Sequence, residues 1–145
     1  MELTSFSSAV GKLVYHINFK TKYGHEVFNF PYFRADCEQI FREVAKSENL
    51  KILGVGFDRH HTHLVLETRI THTIPGIIKK LKGTSGKLLL KKYPWIKKEF
   101  FWGSGLWSPA YCCKTVGDGN IDGAVNYANK QGIKKGQKTL VDFFN

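Results

Sequence analysis

The sequence predicts one α+β domain over residues 1–145, with a ferredoxin-like (RRM-like) antiparallel sheet and helices on one face. Three observations support this prediction. Short segments with alternating apolar residues indicate strands, and longer segments with apolar residues at helical spacing indicate helices. These segments follow one another in the order β-α-β-β-α-β-α, without an internal repeat or a low-complexity linker.

The first half of the chain supplies three strands and one helix. Apolar and polar residues alternate over residues 13–20, which predicts a strand. After Pro31, apolar residues recur at helical spacing and predict an amphipathic helix over residues 32–46. Residues 51–58 and 61–67 read as two strands joined by a tight turn, so we expect a hairpin there.

The second half begins with a helix for which Thr73 is a suitable N-cap and Pro75 lies in the first turn. This helix is expected to continue or restart until just before Pro94. Residues 106–117 are β-rich and predict the last strand. A final helix is predicted over about residues 119–131, with Gly132 as its C-cap and residues 132–145 as a tail.

The net charge, the cysteine count and the lack of long apolar stretches limit which classes of function are expected. The formal net charge of +10 and pI near 9.6 favour a polyanionic partner, with nucleic acid ahead of an acidic membrane surface. The three cysteines are odd in number and irregularly spaced, which favours a reducing compartment over a disulfide framework. No apolar stretch reaches the length of a membrane span, and the first residues do not resemble a signal peptide. We therefore expect a cytoplasmic protein.

Three of the six histidines fall within residues 60–63. Residues i and i+2 of a strand share a face, so His61 and His63 should project side by side and could chelate a divalent cation. An isolated His-x-His motif is more often structural, so a metal site requires a third ligand from another element. Zinc is not expected, because the adjacent Cys112 and Cys113 point to opposite faces of a strand.

Tyr127 and Gln131 lie four residues apart on the predicted last helix and therefore share one face. The amide oxygen of Gln131 could be the third metal ligand, which would bring the Tyr127 hydroxyl close to the cation. A phenol is a poor nucleophile at neutral pH unless its anion is stabilised, and a divalent cation can provide that stabilisation. Without the histidines, the same pattern would indicate an ordinary amphipathic helix.

The segment "HHTHLVLE" and the later "Y-x-x-x-Q" pattern together resemble the TnpA-like single-tyrosine (Y1) transposases of the insertion-sequence 200/605 type. These enzymes belong to the HUH nucleases, named after a histidine, hydrophobic residue, histidine motif. The resemblance covers most of the chain, including "LVYHINFKTKYGHEVF", "IIKKLKGTSGKLL" and "LWSPAYCCKTVGDG". One departure is Thr62 at the usually hydrophobic middle position, but its side chain should face away from the metal.

The resemblance implies a transposase that cuts and rejoins single-stranded DNA. Tyr127 would attack a phosphodiester to give a 5′-phosphotyrosine and a free 3′-OH. His61, His63 and Gln131 would hold Mg²⁺ or Mn²⁺. The resemblance further implies a homodimer, with Tyr127 acting in trans or in cis, and hairpin ends of an insertion sequence as the DNA partner.

Several charged residues complete the predicted site. Lysines crowd residues 79–98 and are interleaved with aromatic residues, a composition suited to phosphates and unpaired bases. The candidates for DNA binding are Lys79, Lys80, Lys82 and Lys87. His60 and His72 are weaker site candidates, and Asp58 and Asp122 lack the spacing of an acidic metal cluster.

Two alternative functions remain open. The first is a non-catalytic nucleic-acid-binding module on a ferredoxin-like sheet, although neither candidate strand carries an RNP-type aromatic signature. Such a binder forms no covalent DNA adduct. The second is a domesticated single-tyrosine nuclease that cuts host repeats, for which the residue chemistry would be identical.

Overall fold

The structure, a computed structural model, describes residues 11–101 and 103–130. The predicted element order holds, with one additional short helix after the central one. The elements are β1 (Leu13–Lys20), α1 (Pro31–Ser47), β2 (Lys51–Phe57), β3 (His61–Thr68), α2 (Ile74–Lys92), α3 (Pro94–Phe100), β4 (Cys112–Thr115) and α4 (Ile121–Lys130). The predicted Gly132 cap and the tail at 132–145 lie outside the described residues.

The four strands form one antiparallel sheet in the order β2-β3-β1-β4. The two central strands, β3 and β1, are those that the split βαβ topology places at the centre of a ferredoxin-like sheet. The α+β, ferredoxin-like prediction is therefore confirmed. Because β3 lies between β1 and β2, side chains from three strands surround the His-x-His motif.

One face of the sheet forms the main core. Ile17 on β1 and Leu64 and Leu66 on β3 are fully buried on this face. They pack in one cluster with apolar residues of α1 and α2, including Phe41 and Leu81. The two-residue period of the strands places these apolar residues on one side and leaves the alternate positions for the other.

The helices do not all lie on this face, which corrects the predicted arrangement. Helix α4 packs on β2 and β3 from the opposite side. There, Ile121 and Ala128 of α4 join Val14 and Val65 of the strands in a second, smaller buried cluster. The face that carries His61 and His63 is therefore the face that α4 partly covers.

The segments between β3 and α4 follow local sequence signals. The Thr73 side-chain oxygen accepts a hydrogen bond from the Gly76 amide at 3.2 Å, which confirms the predicted N-cap of α2. Helix α2 ends before Pro94, and Pro94 begins α3. The β-rich prediction for residues 106–117 was too long, because only Cys112–Thr115 form a strand and Trp107 makes an isolated bridge to Thr21. None of the described helices is long and apolar enough to cross a membrane.

Candidate active site

His61 and His63 share one face of β3, as strand geometry predicts. Their ring centroids lie 4.8 Å apart. Thr62, between them, is fully buried and donates a hydrogen bond to the Gly56 carbonyl oxygen at 3.1 Å. That bond satisfies the hydroxyl, so a threonine fits where the resemblance leads one to expect a bulky apolar residue.

Asp58 joins this pair, although it was not predicted as a metal ligand. The turn between β2 and β3 is closed by a hydrogen bond from the Asp58 amide to the His61 carbonyl at 2.8 Å. It brings the Asp58 carboxylate to 3.0 Å from Nε2 of His61. Potential ligand atoms of Asp58, His61 and His63 all lie within 4.8 Å of one another. An Asp at the first position of a tight turn next to a His-x-His strand would have been the signal.

The His63 imidazole has one ring nitrogen without a partner. Nε2 is buried and has no hydrogen-bond partner within residues 11–101 and 103–130. The other nitrogen, Nδ1, lies 3.3 Å from Nε2 of His16 on β1. Burial, followed by repulsion from His61 and His16, lowers the pKa of His63 to about 4. The ring is therefore neutral at pH 7 and has a lone pair to share.

The neighbouring imidazoles are also kept neutral. Burial lowers the pKa of His61, with Asp58 acting in the opposite direction. Burial, with a contribution from Lys114, lowers the pKa of His16. Neutral imidazole is the form that binds metal ions, so both predicted histidine ligands are in the competent state.

The residues present fit a divalent cation. The buried, unpartnered Nε2 of His63 is the direct observation, since a polar atom in that position normally has a partner. Two imidazoles and a carboxylate form a mixed nitrogen and oxygen donor set suited to a divalent ion such as Mn²⁺. The predicted third ligand, Gln131, lies outside the described residues, so its role stays a prediction.

Tyr127 lies over the same group of rings. Its ring centroid is 5.8 Å from that of His16 and 6.1 Å from that of His63, in edge-on contacts with both. The residue is 54% exposed, so Tyr127 is accessible to a large substrate. The structure therefore brings together Tyr127 and the predicted histidine pair within a single chain.

Contacts on β2 set the position of α4. Gly54 has no side chain, and a Cβ there would lie 3.3 Å from the Val125 backbone. The side-chain oxygen of Asn129 accepts a hydrogen bond from the Val55 amide at 3.0 Å. Close backbone approach at Gly54 and this hydrogen bond fix the height of α4 above the sheet, and with it the position of Tyr127.

Three of the four predicted DNA-binding lysines line one groove on the other side of the molecule. The groove has a volume of about 770 Å³ and lies between α2 and residues 104–111. Lys79, Lys82 and Lys87 line it. Lys80 does not, and its ammonium lies 3.7 Å from the Glu48 carboxylate.

Lys82 is held more firmly than the other groove lysines. Its ammonium donates to the carbonyl oxygens of Ser108 and Ala110 at 2.7 and 3.0 Å, and it also lies over the Phe19 and Tyr111 rings. Burial lowers the pKa of Lys82. Two of its three N–H donors are thus occupied in shaping the 106–111 segment.

A second, smaller pocket lies beside the histidines and shares one lining residue with this groove. It has a volume of about 280 Å³, and its lining includes His60, His61, Asn18 and Cys112. Tyr111 lines both the pocket and the lysine groove. Tyr111 therefore lies between the groove lysines and the pocket beside His61.

Three other histidines differ in their relation to the site. His60 places Nδ1 at 3.2 Å from Nδ1 of His61, so it is a neighbour of the site. His72 accepts from the Arg69 amide at 2.9 Å and lies 2.8 Å from the Glu48 carbonyl oxygen, which is a structural role. His16 was missed by the sequence reasoning, although alternation along β1 combined with the β3–β1 adjacency of a ferredoxin-like sheet would have placed it beside His63.

Solved structures define the class of protein. A Deinococcus radiodurans R1 protein, solved as a transposase candidate, superposes with a TM-score of 0.71 at 29% identity, covering 89% of this chain and 98% of that chain. A REP-associated tyrosine transposase bound to a REP hairpin superposes with a TM-score of 0.59 at 9% identity, covering 88% and 71%, and supports the fold alone. Fold and site thus define a transposase domain.

The family follows from the sequence. Residues 9–131 match the family described as "Transposase IS200 like", and the chain belongs to that family. The ISDra2 transposase TnpA of Deinococcus radiodurans is 30% identical over 136 residues, which cover 93% of this chain and 95% of that protein.

Proposed function

We propose that this protein is a single-strand DNA endonuclease and strand transferase that excises and inserts an insertion sequence through a covalent tyrosine intermediate. One observation carries the proposal: the Tyr127 ring lies in edge contact with His63, which belongs to the Asp58, His61 and His63 group and whose Nε2 is buried. Metal-assisted phosphodiester transfer requires a nucleophile and a cation-binding group close together, and both lie on one open face here.

The residues divide the reaction between them. Asp58, His61 and His63 would hold Mg²⁺ or Mn²⁺, with Gln131 as a further proposed ligand. The cation, when bound, supplies positive charge to a phosphate oxygen and to the phenolate. The Tyr127 oxygen forms a bond to phosphorus while the bond from phosphorus to the 3′ oxygen breaks, and the phenolic proton leaves to solvent. The products are a 5′-phosphotyrosine and, after protonation, a 3′-OH.

The reverse displacement rejoins strands. A 3′-OH attacks the phosphotyrosine, the bond from phosphorus to the Tyr127 oxygen breaks, and the phenol is regenerated. Each step exchanges one phosphodiester for another, so no ATP is required. The exposure of Tyr127 supports this cycle, because two different DNA ends must reach the same oxygen in turn.

The groove supports the proposed DNA partner. Lys79 and Lys87 are exposed at its edge, and Lys82 uses two donors on the protein. A strand held there by its phosphates could pass Tyr111 and enter the pocket beside His61. Single-stranded DNA with a hairpin, the homodimer with Tyr127 in cis or trans, and a cytoplasmic location belong to the same proposal. A domesticated nuclease would share this chemistry and differ in its genomic flanks.

The test is adduct formation. Wild-type protein incubated with a 3′-labelled single-stranded element end and Mn²⁺ should give a labelled protein–DNA adduct on a denaturing gel, with mass spectrometry locating the phosphate on Tyr127. Tyr127→Phe should reduce the adduct by at least about 1,000-fold, because it removes the only reacting atom of the side chain. DNA binding should stay within about twofold of wild type, as the ring is retained.

Tyr23→Phe is the matched control, since Tyr23 is 73% exposed and makes its ring contact with His25 rather than with His16 or His63. It should form the adduct normally. An adduct that persists in Tyr127→Phe would reject the assignment of the nucleophile. Specific binding without any adduct in the wild type would favour the non-catalytic binding module.

A further inference from the structure

His16 is neither a proposed ligand nor the proposed nucleophile, yet it contacts both His63 and Tyr127. It lies on β1, directly beside β3, where Asn18 of the same face pairs in register with His63. Its Nε2 lies 3.3 Å from Nδ1 of His63, and its ring contacts Tyr127 edge-on. The imidazole of His16 therefore lies behind the proposed metal ligand, on the side away from the unpartnered Nε2.

A hydrogen bond between two neutral imidazoles can run in two directions. If His16 donated, the Nδ1 atom of His63 would accept, and the remaining proton of His63 would lie on Nε2. That N–H would then be buried without an acceptor in the described part of the chain. If His63 donates from Nδ1, its Nε2 instead carries a lone pair. Either an N–H or a lone pair is unfavourable when buried without a partner, but only the lone pair gains a partner when a cation binds, so the second direction is preferred.

We infer that His16 is a positioning residue: it accepts a hydrogen bond from Nδ1–H of His63 and holds Nε2 of His63 as the electron-pair donor to the divalent cation. Metal-binding histidines commonly use the second nitrogen in this way, and the partner sets both tautomer and ring orientation. Here the partner is another histidine on the adjacent strand. The inference rests on the metal-assisted function proposed above.

Two variants of His16 distinguish the effect of its hydrogen bond to His63 from the effect of its packing volume. His16→Leu keeps a side chain of similar bulk but removes the acceptor. His16→Gln restores an acceptor oxygen at about the distance of Nε2. Both are made in full-length protein carrying Tyr127→Phe, so that cleavage does not influence the measurement, and thermal unfolding confirms that each variant is folded.

Two readouts are used, and neither depends on activity. Long-range ¹H–¹⁵N NMR of the histidine rings should show His63 as the Nδ1–H tautomer before metal is added, and His16→Leu should remove that preference. Mn²⁺ titration followed by electron paramagnetic resonance should show an affinity about 10–100-fold lower for His16→Leu, with His16→Gln within about threefold of the parent.

The outcomes are distinguishable. An Nε2–H tautomer of His63 in the parent protein, or equal Mn²⁺ affinity of parent and His16→Leu, would overturn the inference. If the parent bound no Mn²⁺ at all, the metal-assisted function would fail, and the inferred purpose of His16 would fail with it. If His16→Leu did not fold, the tautomer of His63 in the parent protein and the Mn²⁺ affinity of His16→Gln would still test the inference.

Discussion

The two faces of the sheet are built from the same strands but have different compositions. On β3, Leu64 and Leu66 enter the main core, whereas His61 and His63 alternate with them on the other face. The first face is sealed by α1 and α2. The second face carries three imidazoles and is only partly covered by α4. A two-residue period thus lets neighbouring residues serve stability and chemistry separately.

The difference extends to the helices. The cluster beneath α1 and α2 includes Phe28, Phe33 and Phe41, all fully buried. The cluster beneath α4 contains Val14, Val65, Ile121 and Ala128, which are smaller side chains. Because apolar burial provides most of the stabilisation, α4 is held to the sheet less strongly than α1 or α2. The helix that carries the proposed nucleophile therefore has more freedom than the scaffold below it.

The largest expected effect on stability comes from replacing, in separate variants, two adjacent residues of β3 that face opposite sides of the sheet. Leu64→Ala should lower the free energy of unfolding by about 2–5 kcal/mol, because it leaves a cavity in the main core. His63→Ala should change it by less than about 1 kcal/mol without metal, since the lost packing is offset by removal of a buried, unsatisfied nitrogen. Urea unfolding of both variants measures the difference.

The two variants should rank in the opposite order for loss of activity: the variant that loses less stability should lose more adduct formation. His63→Ala should lose Mn²⁺-dependent adduct formation by at least about 100-fold, because it removes a proposed ligand itself and the loss of an outer-shell partner alone already costs about 10–100-fold. Leu64→Ala, tested below its unfolding temperature, should retain most of it. If His63→Ala unfolded as easily as Leu64→Ala, the separation of the two faces would be wrong.

Local patterns predicted the parts of this arrangement that depend on single elements. Alternation along β3 placed His61 and His63 together and turned Thr62 away, and the N-cap at Thr73 marked the start of α2. The parts that were missed depend on pairing between elements. His16 reaches His63 only through the register of β1 with β3, and Asp58 reaches His61 only through the closed turn. The side of the sheet chosen by α4 also follows from tertiary packing, because its apolar stripe could fit either face.

A second prediction tests whether the position of α4, rather than its presence, controls the reaction. Gly54→Val would push added atoms into the Val125 backbone, which already lies 3.3 Å from a Cβ at that site. Valine suits a strand, so the sheet and main core should be retained while α4 shifts. Adduct formation should fall by about 100-fold, the scale of a displacement near 1 Å at a reacting centre. Initial rates and the urea midpoint measure the two effects.

Gly123→Ala provides the control within α4. A Cβ at this position meets nothing within 4 Å, and alanine favours helix over glycine. Its rate should equal or exceed that of wild type. An unchanged rate in Gly54→Val would show that α4 reaches its working position without the contact made on β2.

The smallest expected effect is on DNA affinity and comes from the lysines of the groove beside α2, which lie on neither face of the sheet. Affinity for single-stranded DNA should fall with salt, and Lys79→Gln or Lys87→Gln should each reduce the slope of log affinity against log salt by about 0.7, the contribution of one phosphate contact. Lys80→Gln is the matched comparison, because Lys80 is the adjacent lysine and lies beside Glu48 rather than in the groove. Fluorescence anisotropy over a range of NaCl concentrations gives the slopes. Equal reductions for all three lysines would mean that DNA responds to the overall positive charge, and the groove would then have no special part in guiding the strand to Tyr127.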